Sequence, residues 1–193
     1  MAGKQAKILT RQQVVRALRR ARRGRYPQRD RVMILLSVKA GLRASEIAKL
    51  SWSMVLDTHG RVADSIELHD SAAKMRGGRT IPLHPHLRRS LQQLRRATGT
   101  RGAVLRSERR GSRGLSPSSI VNWFRQLYAD LGFAGCSSHS GRRTFITHAA
   151  RLVFKAGGSL RDVQQLAGHR SIEQTQTYID DSERAKRRLI ALM

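Results

Sequence analysis

Gly41-Leu42-Arg43-Ala44-Ser45-Glu46-Ile47-Ala48-Lys49-Leu50 is the stretch from which the fold is read. Gly41 punctuates a preceding helix, and 44–50 reads as a short helix with Ile47 and Leu50 facing inward. Arg43 and Glu46 stand three apart and share a helix face, so the carboxylate can orient a neighbouring basic group. Upstream, Val32, Leu35, Leu36 and Val38 predict a buried face on a helix over 28–40. Before that, Thr10 reads as an N-cap with Gln13 at N3, and Leu9 and Val14 are placed as a hydrophobic staple. The stripe Val14, Val15, Leu18 carries that helix to about Arg23, and Gly24 ends it.

Downstream, residues 52–56 (WSMVL), 62–68 (VADSIEL) and 79–83 (RTIPL) read as short strands with turns at 58–60 and 76–78. Their order predicts a small antiparallel sheet inserted between helices. Leu87, Leu91 and Leu94 mark an amphipathic helix whose other side carries Arg88, Arg89, Arg95 and Arg96. Residues 99–115 are rich in Gly, Ser and Arg and read as a loop. Ser116-Pro117 opens a helix, N-cap then Pro at N1, with the stripe Ile120, Val121, Phe124, Leu127, Tyr128, Leu131 and a stop at Gly132. Further helices are expected at 140–155, 160–167, 172–178 and 182–191, with Ser159 and Ser171 as N-caps. The fold class is α+β, mainly α, with a basic arm over 1–8 and one domain over 9–193.

Composition narrows the function. The chain has 193 residues, and 38 Lys and Arg against 13 Asp and Glu give a net charge of +25. Arg-rich coding bias accounts for part of this excess but not for the scarcity of acids. Such a surface repels itself unless an anion screens it, so nucleic acid is the first partner to consider. The lone Cys136 allows no disulfide and no thiolate zinc site within one chain and fits a reducing cytoplasm. The N-terminus has no apolar signal core, Ala2 stands where a myristoylated chain needs Gly, and the apolar run 32–38 is too short to span a bilayer. His84-x-His86 lacks acidic or cysteine partners at ligand spacing, so no metal is expected.

Two more boxes carry chemistry: His139-Ser140-Gly141-Arg142-Arg143-Thr144-Phe145, and Leu166-Ala167-Gly168-His169-Arg170 followed by Tyr178. Lys74 lies five residues before the 79–83 strand. With residues 41–50, these elements stand in the order and spacing of the tyrosine recombinases. The chain resembles that family, also called the phage integrases, from about Leu9 to Ala191. The resemblance implies the DNA breaking-rejoining catalytic-domain fold and a site-specific DNA recombinase. Arg43, Lys74, His139, Arg142, His169 and Tyr178 would be its catalytic residues, Glu46 a supporting one, and Arg76, Arg79, Arg143 and Arg170 its DNA contacts.

The residue types suit that chemistry. Attack on a phosphodiester builds negative charge on the non-bridging oxygens, and two guanidiniums, Arg43 and Arg142, can hold both. His139 and Arg142 are three apart on a helix start. A free phenol has a pKa of about 10, so Tyr178 needs a base or strongly positive surroundings to attack. By resemblance, His139 handles that proton, His169 donates to the phosphate, and Lys74 protonates the departing 5′-oxygen. The intermediate is a 3′-phosphotyrosyl link, with no metal or other cofactor required.

Only about forty residues precede Arg43, so the chain resembles short single-domain members such as the fimbrial-switch invertases, a minimal integrase of a mobile element, or a catalytic fragment. Double-stranded DNA is the expected partner, with self-association to a dimer or tetramer on it and possible help from a DNA-bending protein. The expected location is the cytoplasm, at the bacterial nucleoid. The alternatives are a type IB topoisomerase-like enzyme using the same residues, or a non-catalytic DNA-binding accessory protein. A general nucleic-acid binder is weakest, since four Phe and two Trp give few stacking platforms.

Overall fold

The computed structural model describes residues 6–70, 72, 78–107, 113–178, 187, 190 and 191. Besides 3-10 turns at Trp52–Met54 and Phe154–Ala156, eight α-helices and one two-stranded sheet appear among them: α1 (Arg11–Arg22), α2 (Pro27–Lys39), α3 (Ala44–Lys49), β1 (Ser65–Leu68), β2 (Arg79–Pro82), α4 (Pro85–Thr98), α5 (Pro117–Asp130), α6 (Ser140–Leu152), α7 (Leu160–Ala167) and α8 (Ile172–Gln176). The class is the expected one, mainly α with a small antiparallel sheet. The expected helix over 182–191 falls almost wholly outside the described residues. No helix among the described residues is long and apolar enough to cross a membrane.

Helix α2 is the axis of the core. Every residue from Val32 to Val38 is buried, and α1, α4 and α6 pack around it. That is why its apolar run reads as continuous rather than striped: a helix covered on several sides has no solvent face to keep polar. Local signals set the helix starts. Thr10 and Gln13 form a reciprocal capping box at α1, Ser116 Oγ accepts from Ser119 N–H at α5, and Ser159 pairs with Asp162 at α7. His84 Nδ1 accepts from His86 N–H at the start of α4, which gives the His84-x-His86 pair a capping role.

One expectation changes, and two others gain detail. Residues 52–56 are not a strand. Trp52–Met54 is a 3-10 turn, and single bridges pair Ser51 with Ala103 and Leu56 with Val62. The segment turns so that Trp52, Met54 and Val55 all enter the core, which an extended strand with alternating faces could not do. The sheet is therefore only β1 and β2, antiparallel, with Ile66 opposite Ile81. Residues 99–107 and 113–115 form a loop as expected, but part of it enters the core. Val104 and Leu105 are buried, with backbone bonds to Leu50 and Leu115. The end of the N-terminal arm is pinned: Lys7 N–H donates to the Gly135 carbonyl and buried Leu9 donates to Thr144 Oγ1, at 3.0 and 2.8 Å.

The join between α2 and α3 positions the site. Gly41 has φ +65°, and a Cβ there would run into the Phe145 ring of α6. Only glycine permits both the left-handed turn and that approach. Gly41→Ala is expected to destabilise the fold by about 2–5 kcal/mol, the sum of left-handed strain and overpacking. Urea unfolding checks this, and a loss below about 1 kcal/mol would mean that Phe145 moves aside at little cost.

Candidate active site

Helix α7 ends at Gly168, a left-handed cap with φ +61°. The last carbonyls of a helix lack intrahelical partners and carry the negative end of its dipole. Here three arginines meet three consecutive carbonyls. Arg79 Nε donates to Leu166 O at 3.0 Å, an Arg142 amine nitrogen donates to Ala167 O at 2.7 Å, and one of Arg43 donates to Gly168 O at 3.3 Å. The other Arg142 amine nitrogen donates to the Gly41 carbonyl at 2.6 Å. Arg142 thereby ties the α2–α3 join to the end of α7.

Three guanidiniums so close together need a counter-charge, and Glu46 supplies it from a fully buried position. Its carboxylate accepts from Arg43 at 2.8 Å and from Arg79 at 3.1 and 3.0 Å, and from the Arg43 backbone N–H at 2.9 Å. Burial alone would raise the Glu46 pKa. The hydrogen bonds and charge of Arg79, then those of Arg43, outweigh it and hold the carboxyl below its ordinary value. Burial, and then the charge of Arg43, pull the Arg142 guanidinium down to about 10, so it stays charged at neutral pH.

Above this layer lies a cleft of about 460 Å³, lined by Arg43, His139, Arg142, Arg143, His169 and Tyr178 together with Ala6, Gln174 and Thr177. Five of the six expected catalytic residues are therefore brought together. The sixth, Lys74, and the expected DNA contact Arg76 lie outside the described residues. His139 sits exposed at the N-cap of α6, one turn from Arg142. The His169 and Tyr178 rings stack with centroids 5.6 Å apart. His169 Nδ1 lies 3.0 Å from the buried Thr175 hydroxyl. Burial, then Arg142, Arg43 and Arg79, lower the His169 pKa to about 4, which leaves it neutral at pH 7. Tyr178 leans on a small apolar cluster of Ile146, Ala150, Val163 and Ala167 between α6 and α7.

The expected DNA contacts divide. Arg143 lines the cleft and donates to the Ala6 carbonyl at 3.0 Å, so it also holds the N-terminal segment against the site. Arg170 is exposed beside the cleft's rim sequence but does not line it. Arg79 departs from the expectation. Its side chain is only 7% exposed and is spent on Glu46 and Leu166, so it supports the site from below instead of facing a phosphate. Thr175 and Ala6 were not legible as site residues. Thr175, three residues before Tyr178 on the same turn, offered a weak signal, and Ala6 offered none.

Glu46→Gln removes the only carboxylate bonded to this arginine group among the described residues. The variant is expected to lose about 3–5 kcal/mol of stability, the cost of leaving buried charge uncompensated. Urea unfolding at neutral pH measures it. A loss under about 1 kcal/mol would show that the arginines are solvated rather than held by Glu46.

The sequence profile of the phage integrase family matches residues 7–184. A tyrosine recombinase XerC of Rhodospirillum centenum is 33% identical over 162 residues, covering 79% of this chain and 42% of its own length. A tyrosine recombinase XerC of Roseiflexus castenholzii is 30% identical over 183 residues, covering 89% and 54%. The chain spans about half the length of these curated relatives. Among solved structures, the Tn1549 transposon integrase in complex with a circular intermediate DNA superposes with a TM-score of 0.76 at 18% identity, covering 100% of this chain and 67% of that one. The XerA recombinase superposes with a TM-score of 0.71 at 21% identity, covering 96% and 64%. Over almost its whole length, then, the chain belongs to the phage integrase family of tyrosine recombinases and has the catalytic-domain fold.

Proposed function

We propose that this chain is a site-specific DNA recombinase that cuts and rejoins double-stranded DNA through a 3′-phosphotyrosyl intermediate on Tyr178. The observation that carries the reading is the convergence of Arg43, His139, Arg142, His169 and Tyr178 on one cleft. Arg43, Arg79 and Arg142 against one carboxylate, Glu46, leave two positive charges beside it, a ready site for a phosphodiester. Membership of the family and the tyrosine recombinases among its relatives support the same reading.

In this mechanism Arg43 and Arg142 hold the non-bridging oxygens. With the Thr175 hydroxyl, 3.0 Å from His169 Nδ1, acting as the donor, the ring proton lies on Nε2 and neutral His169 becomes a third donor to the phosphate. The Tyr178 oxygen attacks phosphorus, its proton passes to His139, and the bond to the 5′-oxygen breaks. Lys74, five residues before Arg79 in the sequence, gives that oxygen a proton. The phosphoester bond is conserved, so a 5′-hydroxyl from another strand can reverse the step and release Tyr178. Arg76, Arg143 and Arg170 are assigned to the flanking backbone. Glu46 and Arg79 act by positioning. The proposal includes self-association on DNA, with no cofactor, at the nucleoid in the cytoplasm.

Covalent trapping tests the reading. Protein mixed with sheared DNA from its source and denatured in detergent should retain linked DNA of one repeated sequence. Tyr178→Phe should retain none while keeping salt-sensitive binding. Linked DNA spread evenly over sequences would mean topoisomerase-like relaxation. No linked DNA from either protein would mean an accessory DNA-binding role, and the catalytic assignment would be withdrawn.

A further inference from the structure

A second cationic cleft lies at the other end of the core. The end of α1, the start of α2 and the first turns of α4 enclose about 480 Å³, with Arg22, Gln28, Arg31, His86, Arg89 and Gln93 on its walls. Arg142 of the Tyr178 cleft is bonded to the Gly41 carbonyl, just past the opposite end of α2. Thirteen residues of helix at 1.5 Å each put about 20 Å between the two.

No carboxylate lines this second cleft. The nearby acids are already engaged: Asp30 with Arg29, Asp64 with Arg88 and Asp130 with Arg20. Arg22 and Arg89 are exposed and have no acidic partner among the described residues. Arg31 is held in the wall by its bond to Ser90 Oγ at 2.9 Å. The polar row continues along α4 as His86, Arg89, Gln93 and Arg96, spaced three or four apart, with guanidiniums at Arg89 and Arg96. Arg89 and Arg96 are seven residues or about 10.5 Å apart along the axis. That is about three phosphates of one DNA strand at 3.4 Å rise, longer than a single small anion needs. Apart from Pro27, the walls are guanidinium, imidazole, amide and hydroxyl groups, without the large apolar anchor that a protein partner's hot spot would require.

We infer that this cleft binds the phosphate backbone of a second DNA duplex while the Tyr178 cleft holds the first. The inference rests on the reading of the Tyr178 cleft as a DNA site, and it makes one protomer able to hold two duplexes.

The experiment uses the full chain, a bead-tethered duplex of random sequence and a fluorescent second duplex in solution. The parent protein should capture the second duplex on the beads. Arg22→Glu/Arg89→Glu should reduce capture by about tenfold or more, and should flatten the slope of log affinity against log salt by about 2. Arg101→Glu/Lys155→Glu changes the net charge equally at exposed sites outside both clefts, and should keep capture within about twofold of the parent. Covalent DNA on Tyr178, trapped in parallel from sheared DNA of the source, should form equally in all three proteins. No capture by the parent, or equal capture by the cleft variant and the control, would overturn the inference. Absence of covalent DNA with capture still separating the variant from the control would sink the recombinase reading and leave this cleft standing.

Discussion

Three consecutive carbonyls at the end of α7, those of Leu166, Ala167 and Gly168, each accept a hydrogen bond from a different arginine, and one buried carboxylate balances the group. The rest of the site depends on this arrangement. The arginines come from three distant parts of the chain: the α2–α3 join, the start of β2 and the first turn of α6. Fixing their guanidiniums to the α7 terminus fixes the relative positions of those parts. His169, which follows Gly168 directly, is then set beside Arg43 and Arg142, and Tyr178 is set against His169 by ring stacking and by the α6–α7 apolar cluster. A helix C-terminus attracts cations, so the same feature that holds the arginines in place also keeps them gathered when no anion is bound.

The charge balance connects this packing to chemistry. Full neutralisation would make a stable but inert core. One carboxylate among three guanidiniums under-compensates them, and the excess faces a cleft. Burial, and then the same excess of charge, lower the His169 pKa to about 4 and leave it neutral at pH 7, which suits a hydrogen-bond donor to phosphate better than a proton carrier. Neutral His169 and exposed His139 thus occupy different environments in one cleft, and this supports giving them different duties.

Much of this was legible in the sequence where the determinant was local. The capping residues Thr10, Ser116 and Ser159 mark helix starts because a cap needs only its own first turn. Arg43, His139, Arg142, His169 and Tyr178 were readable from motif order and spacing, and they do share a cleft. What was not legible depends on partners far along the chain. Trp52 to Val55 has the apolar content of a strand, but the core asks it to turn. Val104 and Leu105 look like loop residues among Gly, Ser and Arg, and become core only because Leu50 and Leu115 flank them. Arg79 begins a strand, and which face it takes is set by Glu46, thirty-three residues away. In a chain this basic, an arginine bound inward cannot be told by composition from one that faces a phosphate.

The most direct test of the account is a crystal structure of the chain with a nicked DNA duplex and orthovanadate, which mimics phosphorus during the transfer. The account predicts vanadium bound in line to the Tyr178 oxygen. Arg43, Arg142 and His169 would donate to its equatorial oxygens at about 2.7–3.1 Å, while Arg79 stays on Glu46 and Leu166. Vanadate seated away from Tyr178, or Arg79 swung out to the anion with Glu46 abandoned, would contradict it.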